Sequence, residues 1–222
     1  MDWSVVVDYK GYFIEGFFLT IQLTTVGIIF GLIIGLILGL MRVSGNRWLI
    51  RPAQIYVDIF RGTPLLLQIL AIHKAVLPTL ADLVGLDAPS SVTSAFVALS
   101  LNAGAYIAEI FRGGIQSIDK GQMEAARSLG MSYAQAMRFV ILPQAFKRML
   151  PPLGNEFIAL MKDSSLVMVI AVHEITYAAS TASKNTFEVW TPYIVAGVMY
   201  LFLTYILSRI VAYLERRYST SQ

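Results

Sequence analysis

Six ionisable side chains, Asp58, Arg61, Glu109, Glu156, Lys162 and Asp163, lie within long apolar runs of the sequence. A charge near the centre of a bilayer costs about 2.5–3.5 kcal/mol even on a mild insertion scale, so such groups pair, face a bundle interior or line a polar path. Asn102 and Tyr106 are one helical turn apart and Glu109 follows three residues later, which puts all three on one helix face. Two chemistries fit these groups. In one they pair and hold helices together: Asp58 with Arg61 at i, i+3, and Glu156 or Asp163 with Lys162 or Arg61. In the other, Asp58, Asn102, Glu109 and Asp163 contact a polar solute, with Arg61, Thr63, Tyr106 and Ser164 nearby. Four acids against two bases leave an excess of two negative charges, which a cationic ligand or protonation of one acid would relieve. The chain has no cysteine, and His73 and His173 have no second ligand at useful spacing, so no metal site is expected. No nucleophile–base–orienter set is visible, so catalysis is not expected either.

The elements that must hold these groups are membrane helices. Of 222 residues 56% are hydrophobic and 14% charged, against the roughly 25% charged that is usual for soluble domains. Residues 16–41 contain no charge, and about 20 apolar residues suffice to span a bilayer. The leader before them carries Asp2, Asp8 and Glu15 against Lys10, unlike a cleavable signal peptide. Residues 88–108 and 189–208 are two further charge-free windows, and 52–73 and about 149–173 are spans interrupted by charge. Five transmembrane helices follow, in an all-α integral membrane fold. Pro64, Pro151 and Pro152 mark kinks or helix starts, and Asp163 with Ser164 breaks the fourth span. Arg61 falls roughly 15 Å beyond Arg51, near mid-membrane.

The basic residues give the orientation. With the N-terminus outside, Arg42, Arg47, Arg51, Arg112, Lys120, Arg127, Arg138, Lys147, Arg148, Arg209, Arg216 and Arg217 fall inside, and only Lys10, Lys74 and Lys184 outside. That asymmetry predicts N-out, C-in. Residues 1–15 are then a short external segment, 16–214 the transmembrane domain and 215–222 a cytoplasmic tail. Gly27, Gly31, Gly35 and Gly39 recur every four residues on the first helix, a face for close helix packing within the bundle or across a dimer seam.

Between the third and fourth spans, Arg112 to Pro151 is too long for a plain turn. Lys120 to Leu129 suits a short helix with Asp119 as N-cap and Gly130 as its stop. Ser132 with Gln135 has the capping-box pattern for a second helix. The resulting hairpin, about 117–148, presents Ala125 and Ala126 beside Met123 and Leu129, a knob suited to a partner's groove.

Glu124-Ala125-Ala126, three residues, Gly130, nine residues, then Val140-Ile141-Leu142-Pro143 resembles the EAA loop of ABC importer membrane subunits. Val140 stands where isoleucine is commonest. The stretches VDIFRGTPLLLQ (57–68), LNAGAYIAEIFRGGIQSI (101–118) and KDSSLVMVIAV (162–172) resemble the polar amino-acid branch of that family, so the likeness covers the chain from about residue 15. It implies a type I ABC importer transmembrane fold. Met123, Glu124, Ala125, Ala126, Leu129 and Gly130 would form the element that docks into a separate ATPase subunit. It also implies a dimer of permease subunits, homomeric or heteromeric, an external substrate-binding protein, and a bacterial cytoplasmic membrane location. The cargo would be a polar amino acid, with the charge excess hinting at a basic one; nucleic acid has no place in the scheme. The chain has no G-x-x-x-x-G-K-[ST] phosphate loop, so no cofactor is expected on it, and ATP and Mg would sit on the partner. The rival reading is an ion-coupled secondary amino-acid transporter with Glu109 or Asp163 as its ion site.

Overall fold

A computed structural model describes residues 1–218 as helices joined by short loops, with no strand among the described residues. Positions 219–222, the end of the expected tail, lie outside the described residues. After a short α1 (Ser4–Asp8) come α2 (Lys10–Val43), α3 (Arg47–Gly62), α4 (Leu65–Leu83) and α5 (Ser91–Gln116). The segment between the third and fourth expected spans supplies α6 (Lys120–Ser128). One continuous helical run, α7, is then built from Tyr133–Ala136, a wide π turn Met137–Ile141, and Leu142–Asp163. α8 (Ile175–Thr186) and α9 (Trp190–Tyr218) complete the chain.

Four of these helices, α2, α4, α5 and α9, are long and apolar enough to cross a membrane. Two expected windows shift. The 52–73 window is cut at Thr63 and Pro64, both extended, because the proline ring excludes the helical conformation from the residue before it. The apolar helix therefore runs 65–83, with a π turn at Ile72–Val76. In the 149–173 region, α7 ends at Asp163 and a 3-10 segment, Ser164–Ile170, continues the chain. The second helix of the hairpin is thus not short. It runs on through Pro143, Pro151 and Pro152 to Asp163. Both π turns stop two residues before a proline, at Leu77-Pro78 and Leu142-Pro143. A proline removes one N–H donor and crowds the carbonyl four residues back, and a locally wider turn relieves both.

Helix directions follow from contacts. Methyl groups built on Gly27, Gly31, Gly35 and Gly39 would meet Leu99, Ala103, Ile107 and Phe111 of α5, each pair 72 residues apart, so α2 and α5 run parallel with glycines at the seam. Gln68 bonds Asn102 and His73 lies 3.0 Å from Ser94, so α4 runs antiparallel to α5. Leu160 sits against Gly27 and the backbone of Glu174 against Gly16, which makes α7 and its extension antiparallel to α2. Gly154 meets Val211 and Thr176 lies by Tyr200, so α9 reverses once more. Leu23, Ile28, Ile69, Leu99, Ala103, Ile107, Leu160 and Val167 form the shared core.

At one end, a cleft of about 700 Å³ gathers Arg42, Gly45, Ile50, Gln116, Lys120, Tyr133 and Met137. At the other, Glu174 is fully buried as the N-cap of α8, accepting from the Thr176 and Tyr177 amides and from the Tyr200 hydroxyl.

Candidate substrate path and coupling hairpin

The break between α3 and α4 leaves the last carbonyls of α3 without helical donors. Thr63 Oγ1 donates to Ile59 O (2.7 Å), and the Gln68 amide nitrogen donates to Phe60 O (2.8 Å), Thr63 O (3.0 Å) and Thr63 Oγ1 (2.8 Å). Gln68 Oε1 accepts from Asn102 Nδ2 at 2.9 Å. The broken helix is thereby fastened to α5 beside the face that carries Tyr106 and Glu109. Tyr56 adds a second tie, donating to Leu101 O at 2.7 Å.

Glu109 is the hub of the next turn. It accepts hydrogen bonds from Arg42 on α2 and from Arg112 on its own helix, and Arg61 of α3 lies 3.8 Å away. Charge-assisted bonds of the first kind contribute about 1.5–3 kcal/mol each. The Arg61 pair is long and its side chain 41% exposed, so it is worth at most about 1 kcal/mol. Arg61 also lies over the Tyr106 ring, 5.3 Å from its centroid. It is therefore the one guanidinium of the three free to turn toward a solute. Glu109 is the nineteenth of 26 residues in α5, about 10 Å from that helix's end. The Arg61 head therefore sits toward the Arg42 end, not at mid-depth.

The structure brings Arg61, Tyr106 and Glu109 together, and Thr63 with Asn102 through Gln68. It does not pair Asp58 with Arg61. Among the described residues no ion pair reaches Asp58, Glu156, Lys162 or Asp163. Asp58, Lys162 and Asp163 are exposed, and exposed charges within a membrane bundle must meet water or another chain, not lipid. Ser164 is fully buried and donates to Met161 O (2.7 Å), which joins the 3-10 turn to α7.

Sequence reasoning missed Gln68, Arg42 and Arg112. Arg42 and Arg112 both bond Glu109 and so enter the charge count, in which Asp58, Glu109, Glu156 and Asp163 are matched in number by Arg42, Arg61, Arg112 and Lys162. Counted this way the excess of two negatives is gone, and the number of charges by itself points to no particular cargo. By sequence alone Arg42 falls with the loop basics, because it follows a 26-residue charge-free run. Its reach back along the helix to Glu109 has no signature in the spacing.

The hairpin is fixed by its own turn chemistry. Asp119 accepts from the Gly121 amide (2.7 Å), and Ser132 with Gln135 forms a reciprocal capping box. Gly130 has φ +85°, and its amide and that of Met131 bond Arg127 O and Ala126 O, a Schellman closure. Glu124, Ala125 and Gly130 are exposed and Leu129 is 82% exposed, whereas Ala126 is buried and Met123 packs on Ile118, Ile141, Ala145 and Met149. Of the six residues expected at the knob, Met123 and Ala126 anchor it from inside and the other four face out.

Apolar helices of alternating direction, with charged side chains among them and a capped hairpin between two of them, are the build of a membrane transport subunit. Residues 27–220 match the family described as binding-protein-dependent transport system inner membrane component, and the chain belongs to that family. It is 38% identical over 217 residues to the arginine transport system permease protein ArtQ of Bacillus subtilis, covering 98% of this chain and 97% of that one. Similarity to the glutamine transport system permease protein GlnP of Escherichia coli is 39% over 219 residues, covering 97% of each. A crystal structure of an amino acid ABC transporter with histidines superposes with a TM-score of 0.88 at 40% identity, covering 98% of this chain and 99% of the other. An inward-facing MetNI methionine ABC transporter superposes with a TM-score of 0.80 at 22% identity, covering 99% and 100%, a likeness of fold alone. The architecture is the type I ABC importer permease fold.

Proposed function

We propose that this chain is the permease subunit of an ATP-driven importer for polar amino acids. The observation that carries the reading is the rigid hairpin at the basic end joined to a helix bundle with an exposed, charge-bearing face. Relatives named for arginine and glutamine are about equally similar, and the balanced charges of the site favour neither a basic nor a neutral cargo. Asp58, Arg61, Thr63, Asn102, Tyr106, Glu109, Asp163 and Ser164 line or support the path. Two copies, or this chain with a close relative, meet across the face bearing Asp58, Lys162 and Asp163. An external binding protein delivers the solute. Met123, Glu124, Ala125, Ala126, Leu129 and Gly130 carry motion from a partner ATPase, which holds ATP and Mg. Nucleotide must bind one conformation better than the other for the path to switch its facing.

Five spans, N-out and C-in, in a bacterial cytoplasmic membrane, fit the alternating directions of α2, α4, α5, α7 and α9. The cysteine-free sequence makes this directly testable. In intact cells a membrane-impermeant thiol reagent should label Lys184→Cys and spare Ser128→Cys until the membrane is opened. The reverse pattern would invert the topology.

The function itself is tested by co-purifying the chain with its neighbouring gene products and assaying ATPase activity over an amino-acid panel. Several-fold stimulation by one or a few polar amino acids with their binding protein is expected. A response to no amino acid would reject the substrate class.

A further inference from the structure

We propose that Gln68 is a positioning residue: it locks the Asn102 amide so that Asn102 Oδ1 is offered to an ammonium group of the transported amino acid. The inference rests on the reading that Asn102 lines the path. Its basis is a chain of donor and acceptor requirements. Phe60 O and Thr63 O can only accept, and Thr63 Oγ1 has spent its proton on Ile59 O. Three acceptors surround one end of the Gln68 amide, so that end must be the NH2 group. Gln68 Oε1 then faces α5, and Asn102 must answer with its own NH2, at 2.9 Å. A flip of either amide would set like atoms against each other.

Asn102 Oδ1 is left pointing away from Gln68, with no hydrogen-bond partner among the described residues. Among the described residues no buried side-chain oxygen lacks a partner, so Oδ1 is open to solvent although Asn102 as a whole is only 5% exposed. A carbonyl-type oxygen with no donor of its own accepts from N–H groups, and a substrate ammonium provides three. The same two bonds that close the end of α3 therefore set the polarity of the site. Arg61, one residue before the end of α3, stands on the same fastened break and is loosely held, so it can meet the solute's carboxylate while Asn102 meets its ammonium.

The test uses the permease–ATPase complex without binding protein and measures direct binding of labelled L-arginine and L-glutamine. The L-arginine analogue lacking the α-amino group is run beside them. Asn102→Ala should weaken amino-acid binding about tenfold, the scale of one hydrogen bond to a charged group, and erase the preference over the des-amino analogue. Gln68→Met should approach that loss and also erase the preference. Adding Gln68→Met to Asn102→Ala should cost nothing further, because coupled residues are non-additive. Should Gln68→Met prevent assembly, Gln68→Asn carries the same comparison, since its amide is one methylene too short to span both sets of partners. Equal losses from the Gln68 change in both backgrounds, or an unchanged preference, would overturn the positioning role and leave the path intact. An Asn102→Ala complex that binds normally would remove Asn102 from the path and the proposal with it. A wild-type complex that binds neither amino acid would reject the path reading itself.

Discussion

Gly35→Leu abolishes the folded bundle. A methyl group at position 35 would lie 2.5 Å from Ile107 Cγ2, 2.7 Å from Ile107 Cβ and 3.0 Å from the Ala108 backbone nitrogen. Neither the Ala108 nitrogen nor the Ile107 Cβ can move by a rotamer change, and Ile107 is fully buried in a close-packed core. Overpacking of this kind costs about 1–3 kcal/mol for one methyl and more for a larger side chain. In a membrane it attacks the main source of helix association, since lipid removes the hydrophobic drive. The seam also yields a graded series. Gly27 meets the end of the Leu160 side chain at 3.0 Å and no backbone atom, so Gly27→Ala should lose less than Gly35→Ala. Gly197→Ala meets nothing within 4 Å and should be neutral or slightly stabilising, as alanine is the better helix former. Thermal stability of the purified complex should fall in the order Gly197→Ala, Gly27→Ala, Gly35→Ala, Gly35→Leu. A tolerated Gly35→Leu would contradict the parallel α2–α5 seam.

Gly130→Val separates transport from ATP hydrolysis. At φ +85° a side chain is strained wherever it points, and nothing crowds the site, so the cost is purely conformational. The left-handed penalty is about 1–2 kcal/mol for an ordinary residue and larger for a β-branched one, enough to shift the closed turn about tenfold. The Schellman bonds that set the angle between α6 and α7 are lost with it. Substrate-stimulated ATPase activity should drop about tenfold by that conversion, while the chain still inserts and binds its permease partner. Gly130→Asn, which tolerates the left-handed region, should retain most coupling. Equal losses for valine and asparagine would mean that backbone conformation at 130 is not what matters.

The parts of this fold that were legible in the sequence are those written in local chemistry. Asp119, Gly130, and Ser132 with Gln135 specify a helix–glycine–helix turn, and the charge-free runs specify α2, α5 and α9. The break at Thr63–Pro64 was blurred because the apolar content on either side is continuous and only the proline marks the gap. The run of α7 through three prolines was hidden for the opposite reason. Proline normally signals an end, yet here a π turn precedes Pro143 and the helix continues through Pro151 and Pro152. At the site, spacing along one helix put Asn102, Tyr106 and Glu109 on α5, where Asn102 meets Gln68 and the other two meet Arg61. It could not reveal Gln68, Arg42 or the absence of an Asp58–Arg61 pair. Those depend on which helices meet, and the 72-residue offset between α2 and α5 has no trace in any short window.

The most direct measurement is uptake of a labelled polar amino acid into proteoliposomes that hold this chain with its ATPase, permease partner and binding protein. Uptake should require ATP on the side of the hairpin, persist when an uncoupler collapses every ion gradient, and disappear in Gly130→Val. Uptake that proceeds without ATP and stops with the uncoupler would contradict the account and favour an ion-driven carrier.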